Sequence, residues 1–343
     1  MPETVLELCA GGGGQALGLE QSGFECLAAA EIDHHSCETL RLNRPSWKVL
    51  ECDIKELDGA DFRGVDLIAG GVPCPPFSVA GKQLGRNDER DLFPDALRIV
   101  RNARSRAVML ENVQGFSTGK FANYRDWIQT QLEDMGFAFF CRLLNASNFG
   151  VPQLRPRFLM VALREEYAMH FRWPDEQPPT TTVGETLADL MAENSWPGAL
   201  AWRNRADRIA PTIVGGSKKH GGPDLGPTRA KRQWRELGVD GLGIANEAPG
   251  PDFPIDGLPR LTTRMVARLQ GFPDCWQFFG KKTAAYRQVG NAFPAPVAAA
   301  VSHSIMRALR REGAPAYRQD KNGQLAFIDE EEKSSFKSST RSS

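Results

Sequence analysis

The sequence predicts an α/β fold, a doubly wound and mostly parallel sheet carrying a smaller loop-rich insert. Three observations predict it. Short apolar runs alternate with helical patterns over the first 165 residues, a glycine-rich turn follows the first run, and the texture changes to Pro, Gly and Trp from about 165 to about 260. Apolar runs bounded by glycines and spaced by helices read as buried parallel strands.

The predicted strands are TVLELCA (4–10), ECLAAAEI (25–32), VDLIAGG (65–71), AVMLENV (107–113) and RFLMVAL (157–163). Between them the spacing predicts helices near 14–22, 34–43, 92–103 and 121–136, the last closed by Gly136. The insert shows weak periodicity and one short helix, 228–237. Order resumes at LTTRMVARLQGF (261–272), a helix capped by Thr262 or Thr263, and at a helix from about 294 to 311 with a basic last turn. The end, DEEEKSSFKSSTRSS, has the polar, low-complexity make-up of a disordered tail.

Composition bounds the function. Of 343 residues, 41% are apolar and 24% charged, which excludes wholesale disorder. No apolar run approaches the ~20 residues of a membrane span, and the amino terminus lacks the basic and apolar regions of a secretory signal. Seven scattered cysteines without a C-x-x-C pair argue against a disulfide framework and a zinc site, so no metal is expected. They fit a reducing cytoplasm. Lys and Arg total 42 and so do Asp and Glu, a balance that taken alone points away from nucleic acid.

The first strand runs into AGGGGQALGL, and glycines let a backbone approach a ligand beside free helix N–H groups. Gly11, Gly13 and Ala16 fit the loose G-x-G-x-x-G/A pattern. Glu31 ends the next strand, placed for ribose hydroxyls. Asp53 and Ile54 suit an adenine amino group and ring. The motif does not separate a dinucleotide from S-adenosylmethionine, but no Gly-Lys-Ser/Thr follows, which excludes a Walker loop. Cys74 lies in GGVPCPPFSVAGKQ at a strand's carboxyl end, where such sheets place active sites. Prolines 73, 75 and 76 stiffen that loop.

The order LELCAGGGG, Glu31, Asp53, PCPPFS, ENV (111–113), QLRPR (153–157), a variable segment, LTTRMVARLQGFP and RQVGNAFPAP (287–296) resembles that of the DNA (cytosine-5) methyltransferases. The likeness runs from about residue 5 to 301, apart from the insert. It implies a Rossmann-like catalytic domain, 1–165 with 260–312, a target-recognition domain, 166–259, and a tail, 313–343. It implies methyl transfer from S-adenosylmethionine to cytosine C5. Cys74, held by Pro73, would add to C6, and Glu111 would assist at N3. Asn112 would orient the loop. Arg155 and Arg157 alternate along a strand and so share a face; the resemblance gives Arg157 to cytosine O2 and Arg155 to support of the Cys74 and Glu111 region.

Cofactor contacts implied by the same likeness are Cys9, Gly11, Gly13, Glu31, Ile32, Asp53, Ile54, Leu92, Asn291 and Ala292. One departure stands out: the family has D-L-F-x-G where this chain has Glu7, Leu8, Cys9, so the adenine-stacking aromatic is missing. Either another side chain supplies that face or the cofactor binds more weakly. Residues 201–235 hold nine Lys/Arg against two acids, about +7. Gln83, Arg203, Arg205, Lys218, Lys219, Arg229, Lys231 and Arg232 form the expected contacts to double-stranded DNA, with Trp202 and Trp234 among them. The net charge of zero is then an average over a polarised molecule.

The expected form is a cytoplasmic monomer of the restriction-modification type, with a cognate endonuclease left open as a partner without a stable complex. A transfer-RNA methyltransferase of the same lineage lacks so long an insert. An inactive DNA-binding member is at odds with the intact Cys74, Glu111 and Arg157. An NAD-dependent enzyme gives no reason for PCPPFS, and amine methylation would need an Asp/Asn-Pro-Pro-Tyr/Phe loop that is absent.

Overall fold

Even-numbered and odd-numbered residues of the central strands bury themselves on opposite faces. Leu6, Leu8, Ile68, Val108, Leu110, Met160 and Ala162 enter one core, and Val5, Leu67, Ala107, Met109, Leu159 and Val161 enter another. Side chains of a strand alternate between faces, so a sheet apolar on both must be covered on both. The computed structural model describes residues 2–73, 91–216, 222–313, 315, 317–319 and 325–327.

Seven strands make the sheet: β1 (Thr4–Leu8), β2 (Glu25–Glu31), β3 (Val49–Glu51), β4 (Leu67–Gly70), β5 (Ala107–Val113), β6 (Phe137–Asn145) and β7 (Pro156–Arg164). Their order is β3-β2-β1-β4-β5-β7-β6. The first five are mutually parallel. The run 157–163, expected as a parallel strand, is antiparallel to both β5 and β6. The reason is local: β6 and β7 are joined by a short link containing a 3-10 turn, Ala146–Phe149, and a parallel pairing needs a long crossover.

Helices α3 (Phe93–Ala103) and α4 (Ala122–Glu133) cover one face. Gly136 ends the α4 segment with φ +81°, its N–H donating to Glu133 O at 2.8 Å. The other face is covered by α1 (Gly14–Gln21) and α11 (Ala295–Leu309). These two helices meet closely because position 18 has no side chain: a Cβ on Gly18 would lie 2.5 Å from Ala295 O. The short α5 (Glu165–Ala168) and Phe171 pack under the same face.

A third core joins the insert to α2 (His34–Asn43), α9 (Thr263–Leu269) and α10 (Lys282–Asn291). Within the insert lie α6 (Val183–Ala192), α7 (Ala199–Arg205) and α8 (Thr228–Glu236). Only α8 is expected from periodicity. Thr262, not Thr263, caps α9, accepting from Met265 N at 3.2 Å. In the segment expected to be a disordered tail, Tyr317–Gln319 (β8) pairs antiparallel with Leu325–Phe327 (β9). The rest of that tail lies outside the described residues, apart from residues 313 and 315. No helix among the described residues is long and apolar enough to cross a membrane.

Candidate active site

The carboxyl ends of β1 to β5 converge on one edge of the sheet, where the strand order reverses between β1 and β4. Ligands of open α/β sheets bind at such a switch point. A cavity of about 580 Å³ opens there, within the range of small-molecule sites. It is lined by Cys9, Gly11, Glu31, Ile32, Asp53, Ile54, Leu92, Asn291 and Ala292, nine of the ten expected cofactor contacts. Pro73 and Glu111 line it too.

The tenth, Gly13, works one step behind the wall. It caps α1 with φ +89°, and a Cβ there would lie 2.7 Å from the Trp276 ring. Glycine is therefore required by both backbone and packing. Trp276 in turn donates through Nε1 to Gly12 O at 3.1 Å.

Glu31 has most of its carboxylate committed to the backbone. Oε2 accepts from Gly11 N at 2.7 Å, and Oε1 from Ile32 N at 3.0 Å and Asp33 N at 2.8 Å. A carboxylate offers about four acceptor positions, so roughly one remains, on Oε2. Burial pushes the Glu31 carboxyl up, and these three N–H groups pull it back. Cys9 has φ +54°, rare for a residue with a side chain. Its thiol is pushed up to about 12, chiefly by burial and then by Glu31, which makes it an inert apolar surface rather than a nucleophile. With Cys52, Ile54 and Leu92 it gives the wall an aliphatic and sulfur lining. Phe293 is the only aromatic among the described lining residues.

Glu111 sits near the end of β5. Val113 faces Arg157 across the β5–β7 ladder, so Glu111, two residues earlier, lies diagonally on the same face. Arg157 Nε meets Glu111 Oε1 at 2.6 Å with both side chains largely buried. Burial pushes the Glu111 carboxyl up, and the charges of Arg157 and Arg155 pull it back. Asn112 is buried; its Nδ2 donates to Val72 O at 3.0 Å and its Oδ1 accepts from Val113 N at 2.9 Å. That bond fixes the backbone just before Pro73. Cys74 and Gln83 lie outside the described residues. Glu111→Gln is expected to lower the turnover number by about 10²–10⁴-fold, the usual range for a lost acid-base group, with ligand binding in the cavity little changed. Steady-state kinetics with calorimetry of the ligand would show the split.

Arg155 departs from expectation. It precedes β7 rather than lying in it, because Gln153 forms a bridge with Ala210 and Leu154 N donates to Ala210 O, drawing this stretch toward the insert. Its guanidinium, 1% exposed, donates to Ile213 O, Gly290 O (2.9 Å) and Ala292 O (2.8 Å). It clamps the insert to the cavity rim, and its hydrogen bonds go there rather than to Glu111.

Several wall residues are not among the expected contacts: Glu7, Gln15, Ser36, Cys52, Arg287 and Gln288. All but Ser36 lie within or beside the quoted motifs: Glu7, Gln15, Cys52, Arg287 and Gln288. Burial and the Glu31 charge hold the Glu7 carboxyl well above the usual range. Gln288 accepts from Thr39 Oγ1 at 2.6 Å and donates to Phe279 O at 2.9 Å, tying α10 to α2.

The basic stretch of the insert divides. Arg205 donates to Arg235 O and Glu236 O, and Arg208 to Glu236 O, so both cap the carboxyl end of α8. Lys231 pairs with Asp224 at 2.8 Å. Arg203, Arg229, Arg232 and Arg235 are exposed, while Lys218 and Lys219 lie outside the described residues. Trp202 and Trp234 are buried as the insert's own core, not displayed among the cations.

Sequence comparison decides the family. The model of the C-5 cytosine-specific DNA methylases matches residues 4–307. The chain belongs to that family. It is a DNA cytosine-5 methyltransferase, as the resemblance implied. The methyltransferase is 54% identical over 313 residues to the Type II methyltransferase M.NaeI of Lentzea aerocolonigenes, covering 90% of this chain and 76% of that one. It is 52% identical over 318 residues to the Type II methyltransferase M.NgoMIV of Neisseria gonorrhoeae, covering 91% and 100%. Solved structures agree on the fold: a methyltransferase of Entamoeba histolytica aligns with TM-score 0.65 at 15% identity, over 90% and 99% of the two chains. A Spodoptera frugiperda DNMT2 mutant aligns with TM-score 0.64 at 20% identity, over 88% and 99%.

Proposed function

We propose that the methyltransferase carries a methyl group from S-adenosylmethionine to C5 of a cytosine flipped out of duplex DNA, through a covalent bond between Cys74 and ring C6. One observation carries this reading. The cavity that gathers Glu31, Asp53, Ile54 and Leu92 also reaches Pro73 and Glu111, so cofactor wall and base wall are one space.

The residues present fit the cofactor. Glu31 keeps an acceptor position for a ribose hydroxyl, Asp53 and Ile54 suit the adenine edge and face, and Gly11, Asn291 and Ala292 complete the rim. When bound, S-adenosylmethionine supplies an electrophilic methyl group. The chain's own residues prepare the base. Cys74 Sγ bonds to C6, which makes C5 nucleophilic; Glu111 bonds N3 and limits negative charge on the ring. Arg157 orients Glu111 through its 2.6 Å ion pair and reaches toward O2. After transfer the C5 proton leaves and the C6–S bond breaks, returning the thiol.

Residues 166–259 act as the target-recognition domain. Arg203, Arg229 and Arg232, with Lys218, Lys219 and Gln83, meet the phosphates and groove edges. Flipping a base costs a few kcal/mol, which these contacts offset. The Type II names of its relatives support a place in a restriction-modification system, where the methyltransferase would act as a cytoplasmic monomer without a stable complex with any cognate endonuclease.

Duplex DNA carrying 5-fluorocytosine in the recognised site tests the mechanism, because fluorine cannot leave C5 as a proton does. The expected result is a protein–DNA adduct that survives denaturation and maps to Cys74. An active preparation that gives no such adduct would overturn covalent catalysis. Exchanging residues 170–258 for those of a relative with another specificity is expected to move the methylated sequence, read by bisulfite sequencing. Unchanged specificity would place the reader elsewhere.

A further inference from the structure

One cation of the cavity wall has no counter-ion. Arg287, on α10, lines the cavity and is half-buried, yet its guanidinium makes no hydrogen bond or ion pair with any described residue. Carboxylates stand in the same wall, but each is answered elsewhere. Glu31 accepts from Gly11, Ile32 and Asp33 N–H groups, and Asp33 accepts from Ser36 N and Oγ. Asp53 accepts from Lys55 N, and Glu111 pairs with Arg157. Arg287 is therefore not there to balance the wall's own charge. A guanidinium drawn partly out of water without an acceptor is unfavourable, and an anion from outside the chain removes that cost.

Its position says which anion. The insert reaches the cavity at Arg287. Arg155 holds Ile213 O, the Tyr286 hydroxyl donates to Val214 O at 3.1 Å, and a Cβ on Gly215 would lie 2.5 Å from Arg287 O. A Cβ on Gly290 would in turn lie 2.5 Å from Gly215 Cα. Residues 213–216 are thus seated on α10, and Gly216, exposed, lines the cavity beside Arg287. The sequence continues from there into Ser217, Lys218 and Lys219. A planar fork of N–H donors matches two oxygens of a phosphate. We propose that Arg287 binds a backbone phosphate of the substrate strand next to the target cytosine, at the seam between insert and cavity. This rests on the reading of the cavity as the place where a base flipped from duplex DNA is methylated.

Fluorescence anisotropy of the full chain with a duplex carrying the methylated sequence tests it. Arg287→Gln is expected to weaken the complex about tenfold, the scale of one charge-assisted phosphate contact, and to lower the salt slope by about one. Arg287→Lys should keep the slope and recover part of the affinity. A methylphosphonate, which is uncharged, is then placed at each phosphate around the target cytosine in turn. One such position is expected to cost the wild type about tenfold and the glutamine variant little, since the same contact is already gone. Binding of S-adenosylhomocysteine, followed by calorimetry, should stay within a few-fold throughout. If Arg287→Gln binds the duplex with wild-type affinity and slope, or if no single neutral linkage cancels its defect, the assignment is overturned. Loss of S-adenosylhomocysteine with DNA binding intact would overturn it too, giving the cation to the cofactor instead. A wild type that binds no duplex would overturn the DNA reading of the cavity and this contact with it, a result told apart because it needs no variant.

Discussion

Cys74→Ser is expected to reduce methyl transfer by about 10⁴-fold or more, the scale on which removing a covalent nucleophile acts, while binding of S-adenosylhomocysteine stays within a few-fold. The argument runs through the residues on either side. Pro73 lines the cavity, and Asn112 Nδ2 holds Val72 O at 3.0 Å, so the chain is held at the cavity wall as far as residue 73. Glu111, on the strand next to the one that leads to Pro73, lines the same space. A serine hydroxyl keeps the shape but is far less ionised near neutral pH than a thiol, so addition to C6 stalls. Tritium transfer from labelled cofactor to duplex DNA measures the loss. Activity within about tenfold of the wild type would remove Cys74 from the chemistry.

Arg155→Met is expected to destabilise the fold by about 3–5 kcal/mol, read from urea unfolding. The substitution keeps volume but strands the carbonyl oxygens of Ile213, Gly290 and Ala292 in a dry interior. Each stranded acceptor costs about 1–3 kcal/mol. Arg155→Lys should recover only part of this, since one ammonium cannot reproduce the planar fork that spans two segments. A change below about 1 kcal/mol for the methionine variant would show that the clamp is redundant with the Gln153–Gln270 bond of 2.7 Å beside it.

The sheet was legible where periodicity and glycine punctuation agreed. Residues 107–113 match β5 residue for residue, and Glu31, Asp53 and Leu92 reach one cavity from three segments. What escaped has physical causes. FAFFCRLLN is apolar on both faces, so β6 shows no alternation to betray it. The direction of β7 depends on β6, so missing one strand reversed the other. Helix α6 carried a signal in its T-x-x-E start: Thr182 Oγ1 accepts from Glu185 N at 3.2 Å, and Glu185 answers at Thr182 N. Proline-rich surroundings masked it. Charge counting saw nine cations in 201–235 but not that Arg205 and Arg208 are spent on the end of α8, because long-range partners are invisible in composition. Arg287 escaped for the opposite reason: its distinguishing property is the lack of a partner among the described residues, which only coordinates reveal.

The close seat of α11 on α1 at Gly18 also sets an order in time. Asn291, Ala292 and Phe293 belong to the cavity rim and lead directly into α11, which covers Leu19 and Phe24 from the first forty residues. On the ribosome the amino-terminal strands emerge long before that lid for their core exists. The glycine-rich turn is made early and left without its opposite wall until α11 is free to dock. Catalytic competence therefore waits on the docking of α11, and a chain cut short before that helix is expected to carry most of the motifs with no place to use them.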